Sequence, residues 1–275
     1  MLELRLRKAR EEARMLNVRL GVRAPEHIDP LEGARELGVD VVSGNLQDAT
    51  ARIFRIGSRA TIRVSDRIVQ PGRRRFSIAH ELGHFVLGHE LPREGEITTF
   101  VSRACERRRS VDEDLEREAD VFSTEYLTPE AMVRPLCEVS PVSMHSVRVV
   151  AARFQCSPVA SAIRFVELTT ERCAAVYCER NEVKWAKRSP TFTWTIPKRM
   201  RLSPDSVAYD FFKRGSIEDY AQPVPADAWM PGLDAREADA DIIEHAEVVP
   251  EPGWGGVLSL LWIPEAVATR VGRYE

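Results

Sequence analysis

The stretch FSIAHELGHFVLGH, residues 76–89, constrains this chain more tightly than any other, because three of the chain's six histidines fall within ten otherwise apolar residues. A helical residue advances about 100°, so with His80 at zero His84 stands at about 40°, Glu81 at about 100° and His89 at about 180°. Ile78, Leu82, Phe85 and Val86 then occupy the far side, between about 140° and about 240°. The pattern predicts a helix from about Arg73 to Gly88, introduced by Pro71 and Gly72, with one buried face and one polar face. His89 falls off the polar face and reads as a residue at the helix C-terminus.

His80 and His84 stand one turn apart, the separation at which two imidazoles bind one metal ion, and Glu81 between them can reach a water on that ion. Two buried histidines without a metal would each need another partner, at a cost of about 1–3 kcal/mol where none is found. A catalytic zinc needs a third protein ligand and an open fourth position. The acidic stretch DLEREADVFSTEYL, residues 114–127, reads as a helix whose apolar stripe is Leu115, Ala119, Phe122 and Tyr126. With Glu116 at zero, that stripe centres at about −90°, Asp120 lies at about 40° and Glu118 at about 200°. Glu116 and Asp120 therefore border the buried face and Glu118 points outward. Glu116 is the expected third ligand, and Asp120 is expected to accept the other ring N–H of a ligand histidine. Two imidazoles and a carboxylate suit Zn2+ and also tolerate Mn2+ or iron.

The surrounding pattern is that of an α+β protein. Residues 1–18 read as an amphipathic helix and DPLEGARELG, residues 29–38, as a short one with Pro30 in its first turn. VDVVSG, ARIFRIG and ATIRVS predict a small sheet over residues 39–65. VSMHSVRVVAARF and SPVASAIRFVEL follow with helix-turn-helix spacing, joined at Gln155 and Cys156. Beyond Thr170 the expectation is a hairpin around Arg180 and Asn181, a helix in PDSVAYDFFKRG, and a closing strand pair around EPGWGG.

Residues 1–110 hold 21 Lys/Arg against 15 Asp/Glu, whereas residues 219–251 hold Arg236 against nine acids. This asymmetry reads as solvated surface, with an acidic partner or nucleic acid as the alternative. The five cysteines are odd in number and scattered, which predicts reduced thiols. No apolar run approaches the length of about 20 residues that spans a bilayer, and the N-terminus does not resemble a secretion signal. The expectation is a cytoplasmic protein with no membrane partner.

FSIAHELGHFVLGH followed by LEREADVFSTEYLTP resembles the paired motif of the ImmA/IrrE-type metallo-endopeptidases, over about residues 30–135. The resemblance implies a mostly helical, zincin-like peptidase domain with a small sheet at residues 1–136, a helix-turn-helix segment at 137–170 and a C-terminal mixed α/β, GAF-like sensor domain at 171–275. It implies a cytoplasmic zinc endopeptidase that cuts a helix-turn-helix transcriptional repressor in response to stress or another signal. Position by position it makes His80, His84 and Glu116 the metal ligands and Glu81 the catalytic glutamate. Ser123 and Tyr126-Leu127-Thr128-Pro129 depart from the usual small residue and Leu-Leu-Met-Pro ending, changes that bear on the substrate groove and leave the metal untouched. CERRRSVDEDLER has no counterpart in the motif. Tyr126 and His145 qualify as oxyanion donors by residue type alone. The rival reading is a DNA-binding or sensor regulator with a non-catalytic metal, but SPVASAIRFVEL offers only Arg164 to base edges.

Overall fold

The computed structural model describes residues 1–46, 49–93, 106–233, 238, 240–250 and 255–271, without the side chains of 106–112 and 269–271. The chain is a mixed α and β protein, with two sheets among the described residues, and it divides into two compact units. One comprises residues 1–132 with 153–157, the other 133–152 with 158–275.

The first unit opens with α1 (Leu2–Arg19), whose Ala9, Ala13 and Leu16 are buried. Helix α2 (Pro30–Glu36) starts where Asp29 accepts a hydrogen bond from the Leu31 N–H at 2.9 Å, with Pro30 at the first position. Strands β1 (Val39–Gly44), β2 (Ala51–Ile56) and β3 (Arg59–Ser65) form a sheet in the order β1-β3-β2. β1 runs parallel to β3 and β2 antiparallel to it, with Val41 and Ile53 both opposite Ile62. β3 is therefore the central strand, and Ile62 and Val64 are fully buried.

Helix α3 (Pro71–Val86) packs on β2 and β3, helix α4 (Glu106–Leu127) packs on α3, and α1 covers another side of α4. The predicted span of α3 is shifted: it begins two residues earlier, at Pro71, and ends at Val86 instead of Gly88. Gly88 adopts φ +72°, a left-handed conformation that stops the helix and turns the chain. His89 is consequently not at 180° on the helix. Its N–H donates to the His84 carbonyl at 3.0 Å and its ring folds back against His84. The chain then lies beside β2, where the Arg55 N–H donates to the Pro92 carbonyl at 2.9 Å.

The second unit holds most of α5 (Glu130–Cys137), α6 (Met144–Phe154) and α7 (Pro158–Leu168), followed by a five-stranded antiparallel sheet. Its strands are β4 (Cys173–Glu179), β5 (Glu182–Arg188), β6 (Gln222–Pro225), β7 (Asp241–Val249) and β8 (Gly256–Trp262), in the order β5-β4-β8-β7-β6. Arg180 and Asn181 both have positive φ, as a two-residue hairpin turn requires. Helix α7 lies on β4 and β5, while α8 (Val207–Arg214) lies on β7 and β8. A short helix, α9 (Glu265–Val271), follows the sheet. Trp229, Ile242, Leu261 and Val176 lie in the core of this unit. Most of the predicted EPGWGG turn lies outside the described residues. Among the described residues no helix is long and apolar enough to cross a membrane.

Candidate metal centre

Helices α3 and α4 approach closely because Gly83 has no side chain. A Cβ there would lie 3.1 Å from the Cα of Ala119 and 3.2 Å from its carbonyl oxygen. Ala119, Phe122 and Tyr126 form the buried stripe expected for α4. The close approach at Ala119 brings Glu116, one turn earlier, up to the histidines. His80 Nε2 is 3.1 Å from His84 Nε2 and 3.1 Å from Glu116 Oε2, and His84 Nε2 is 3.5 Å from Glu116 Oε1.

These separations fit a metal ion. Bonds of 2.0–2.1 Å in a tetrahedral arrangement place ligand atoms about 3.3 Å apart. Among the described residues, His80, His84 and Glu116 are the set whose nitrogen and carboxylate atoms converge in this way. The donor chemistry agrees, since two imidazoles and one carboxylate are a zinc set. Asp120 Oδ1 lies 2.9 Å from His80 Nδ1, so the N–H on that side has an acceptor and Nε2 is the nitrogen directed at the cluster. Asp112 lies among the residues without a described side chain, Glu113 is exposed, and Asp114 sits 3.9 Å from Arg5.

Glu118 does not point outward as the helical angles predict. Its side chain is 7% exposed, with Oε1 2.5 Å from Arg5 Nη2 and Oε2 3.5 Å from His89 Nε2. The single-stripe reading fails because α4 is covered by α1 as well as α3, which buries a second side of it. Nothing in the pattern around Glu118 announces this; the signal lies in Arg5, more than a hundred residues away.

Charge and burial set the protonation of the cluster. Burial disfavours a charged His80, but hydrogen bonds to Asp120 and Glu116 outweigh it and raise its pKa to about 10. Burial and the neighbouring His80 charge lower His84 to about 4. The hydrogen bond to His80 holds Glu116 below the usual carboxylate range. Glu81 is pushed up to about 7 by burial, although its Oε2 accepts a hydrogen bond from the Ile53 N–H at 2.8 Å. Strand β2 thus fixes a carboxylate whose charge interacts with His80 and Glu116.

The remaining sequence candidates lie elsewhere. The Tyr126 hydroxyl is buried and donates to the Asp29 carbonyl at 2.9 Å, which removes it as an oxyanion donor. His145 is exposed on α6, in the other unit. Cys137, Cys156, Cys173 and Cys178 are free, and burial raises every one of these thiols.

Residues 34–166 match the IrrE N-terminal-like domain of the Peptidase_M78 family. The fold is similar to that of a solved structure described as a Mycobacterium tuberculosis transcriptional regulator. The alignment has a TM-score of 0.59 at 15% identity and covers 96% of this chain and 78% of that one. The chain has no significant match among curated proteins.

Proposed function

Because residues 34–166 carry an IrrE N-terminal-like domain, we propose that this chain is a zinc-dependent endopeptidase whose substrate is a protein, a helix-turn-helix transcriptional repressor cut in a stress or signal response. In this reading residues 1–136 are the peptidase, 137–170 a helix-turn-helix segment and 171–275 a GAF-like sensor, all acting in the cytoplasm. The observation that carries it is Glu81: a carboxylate with a pKa of about 7, fixed by a backbone N–H and adjacent to three converging metal-binding groups. A purely structural metal has no use for such a group.

The Nε2 atoms of His80 and His84 and the carboxylate of Glu116 would hold the metal. When bound, it would supply a Lewis acid that polarises the scissile carbonyl and acidifies water. Asp120 orients His80 by taking its Nδ1 proton in a hydrogen bond. The Ile53 N–H occupies one Glu81 oxygen and leaves the other to take a proton from water and return it to the departing amine.

The regulator reading draws on the description of the structural neighbour and needs DNA contact through α6 and α7. It is weakened by Arg164, the only base-reading cation on α7, which is buried with its guanidinium 3.7 Å from Glu167. Glu81→Gln separates the two readings. It should keep one equivalent of zinc and lose cleavage of co-expressed helix-turn-helix repressors by at least about 10²-fold, the size of a general-base contribution. Full function of that variant in a null strain, with metal bound normally, would establish the regulator instead.

A further inference from the structure

We propose that His89 is a positioning residue for the metal centre, fixing the tautomer and ring orientation of His84 from behind, with Glu118 and Arg5 of α1 anchoring it in turn. The proposal rests on reading His80, His84 and Glu116 as the ligands. His84 Nε2 faces His80 and Glu116, and its other nitrogen, Nδ1, lies 2.8 Å from His89 Nδ1. His89 sits on the far side of the His84 ring from the cluster and so cannot ligate the same ion.

The proton order along this line is determined. A ligating Nε2 must be bare, so the His84 proton resides on Nδ1 and is donated to His89 Nδ1. His89 Nδ1 must then be the acceptor, and its own proton resides on Nε2, the atom facing Glu118 Oε2 at 3.5 Å. Glu118 Oε1 is 2.5 Å from Arg5 Nη2, so the buried carboxylate is held in place by a cation of α1. The side chains of His89 and Glu118 are 6% and 7% exposed, so water does not readily take over either contact. The turn at Gly88 and the bond from the His89 N–H to the His84 carbonyl place the ring there. The two ligand histidines are therefore oriented differently, His80 by a carboxylate directly and His84 through a neutral imidazole.

The test measures zinc affinity by chelator competition and the visible absorption of the Co2+-substituted full chain, both independent of turnover. His89→Leu should weaken zinc by roughly 10–100-fold, the usual size of such an orienting contact, and shift the Co2+ bands. His89→Asn should recover most of the affinity, because its Oδ1 stands where Nδ1 stood and accepts from His84. His89→Gln should not recover it, since its carbonyl oxygen reaches the position of Nε2. Glu118→Gln should give a smaller loss than His89→Leu. Zinc affinity and Co2+ spectrum unchanged in His89→Leu would overturn the proposal, as would Asn and Gln variants of equal affinity. The latter comparison decides the matter even where the leucine variant does not fold. His84→Ala keeps the two ideas apart: retention of a full equivalent of zinc there would remove the ligand set itself, whereas loss of zinc there beside an unaffected His89→Leu removes only the role of His89.

Discussion

At His80 a proton occupies the place a metal ion has to take. Its pKa of about 10 in the metal-free protein means that the ring is charged at neutral pH, whereas His84, at about 4, is neutral and Glu116 is already ionised. Between about pH 8 and 9, where Glu81 is already ionised, metal binding should therefore release close to one proton, supplied by His80. The sign follows: each unit of pH decrease from about 10 to about 8 should weaken apparent affinity about tenfold, and the dependence should flatten above about 10. Calorimetry in buffers of different ionisation enthalpy measures the proton count, and a count near zero would contradict the charged His80. A second residue-scale expectation concerns the third ligand. Glu116→Gln should weaken zinc far more than Glu113→Gln, since Glu113 is exposed and outside the converging set. Chelator titration compares them, and equal affinities would show the ligand choice to be wrong. The placement of His80, Glu81, His84, Glu116 and Asp120 was legible because a helix converts sequence spacing into angle. His89, Arg5 and the Ile53 N–H were not, because each reaches the site through a turn or a tertiary contact that no spacing encodes.

Helix α4 shows where that conversion stops. Reading one apolar stripe assigns one buried side, and Ala119, Phe122 and Tyr126 obey it. Glu118 and Glu125 are buried as well, beside arginines of α1: Glu118 meets Arg5, and the Arg14 Nε donates to Glu125 at 2.8 Å. Charged residues that are buried through pairing look like solvated ones in a hydrophobicity pattern. Short elements were missed for another reason. β6 is four residues with two prolines, tolerable only because it is an edge strand, and α5 contains Pro135, so neither shows a periodic signal. The contact between α3 and α4 makes its own prediction. Gly83→Val must push Ala119 and its backbone away, moving Glu116 relative to His80 and His84 without deleting a ligand. Zinc affinity should fall by at least about tenfold, because ligand atoms a few tenths of an ångström out of place hold the ion poorly. Gly83→Ala should lie between Val and the parent. Unchanged affinity in both would mean that the separation of these helices does not set the site.

Across the whole molecule each unit carries its own polar anchor, and that of the second has nothing to do with metal. Glu244 on β7 is fully buried, and each of its oxygens accepts two hydrogen bonds. Oε1 takes the Ala208 N–H at 3.0 Å and the Ser259 hydroxyl at 2.7 Å, while Oε2 takes the Val207 N–H at 2.8 Å and Trp229 Nε1 at 2.9 Å. The carboxylate thereby caps the first turn of α8, joins it to β8 and fixes the largest buried aromatic residue of the core. Glu244→Gln is nearly isosteric, yet its NH2 at the Oε2 position strands the Val207 N–H and Trp229 Nε1, and at the Oε1 position it strands the Ala208 N–H while the Ser259 hydroxyl turns to accept from it. That should cost roughly 2–4 kcal/mol of stability, more than a surface amide substitution ever does. All five tryptophans lie at residue 185 or beyond, so their fluorescence during denaturation follows this unit. The midpoint should fall while zinc affinity stays at the parent value, because none of the groups that hold Glu244 belongs to the unit containing His80, His84 and Glu116. A full loss of zinc binding in a variant that still folds would mean that the C-terminal unit controls the metal centre directly. The sensor role proposed for it would then act on the ligands rather than on substrate access.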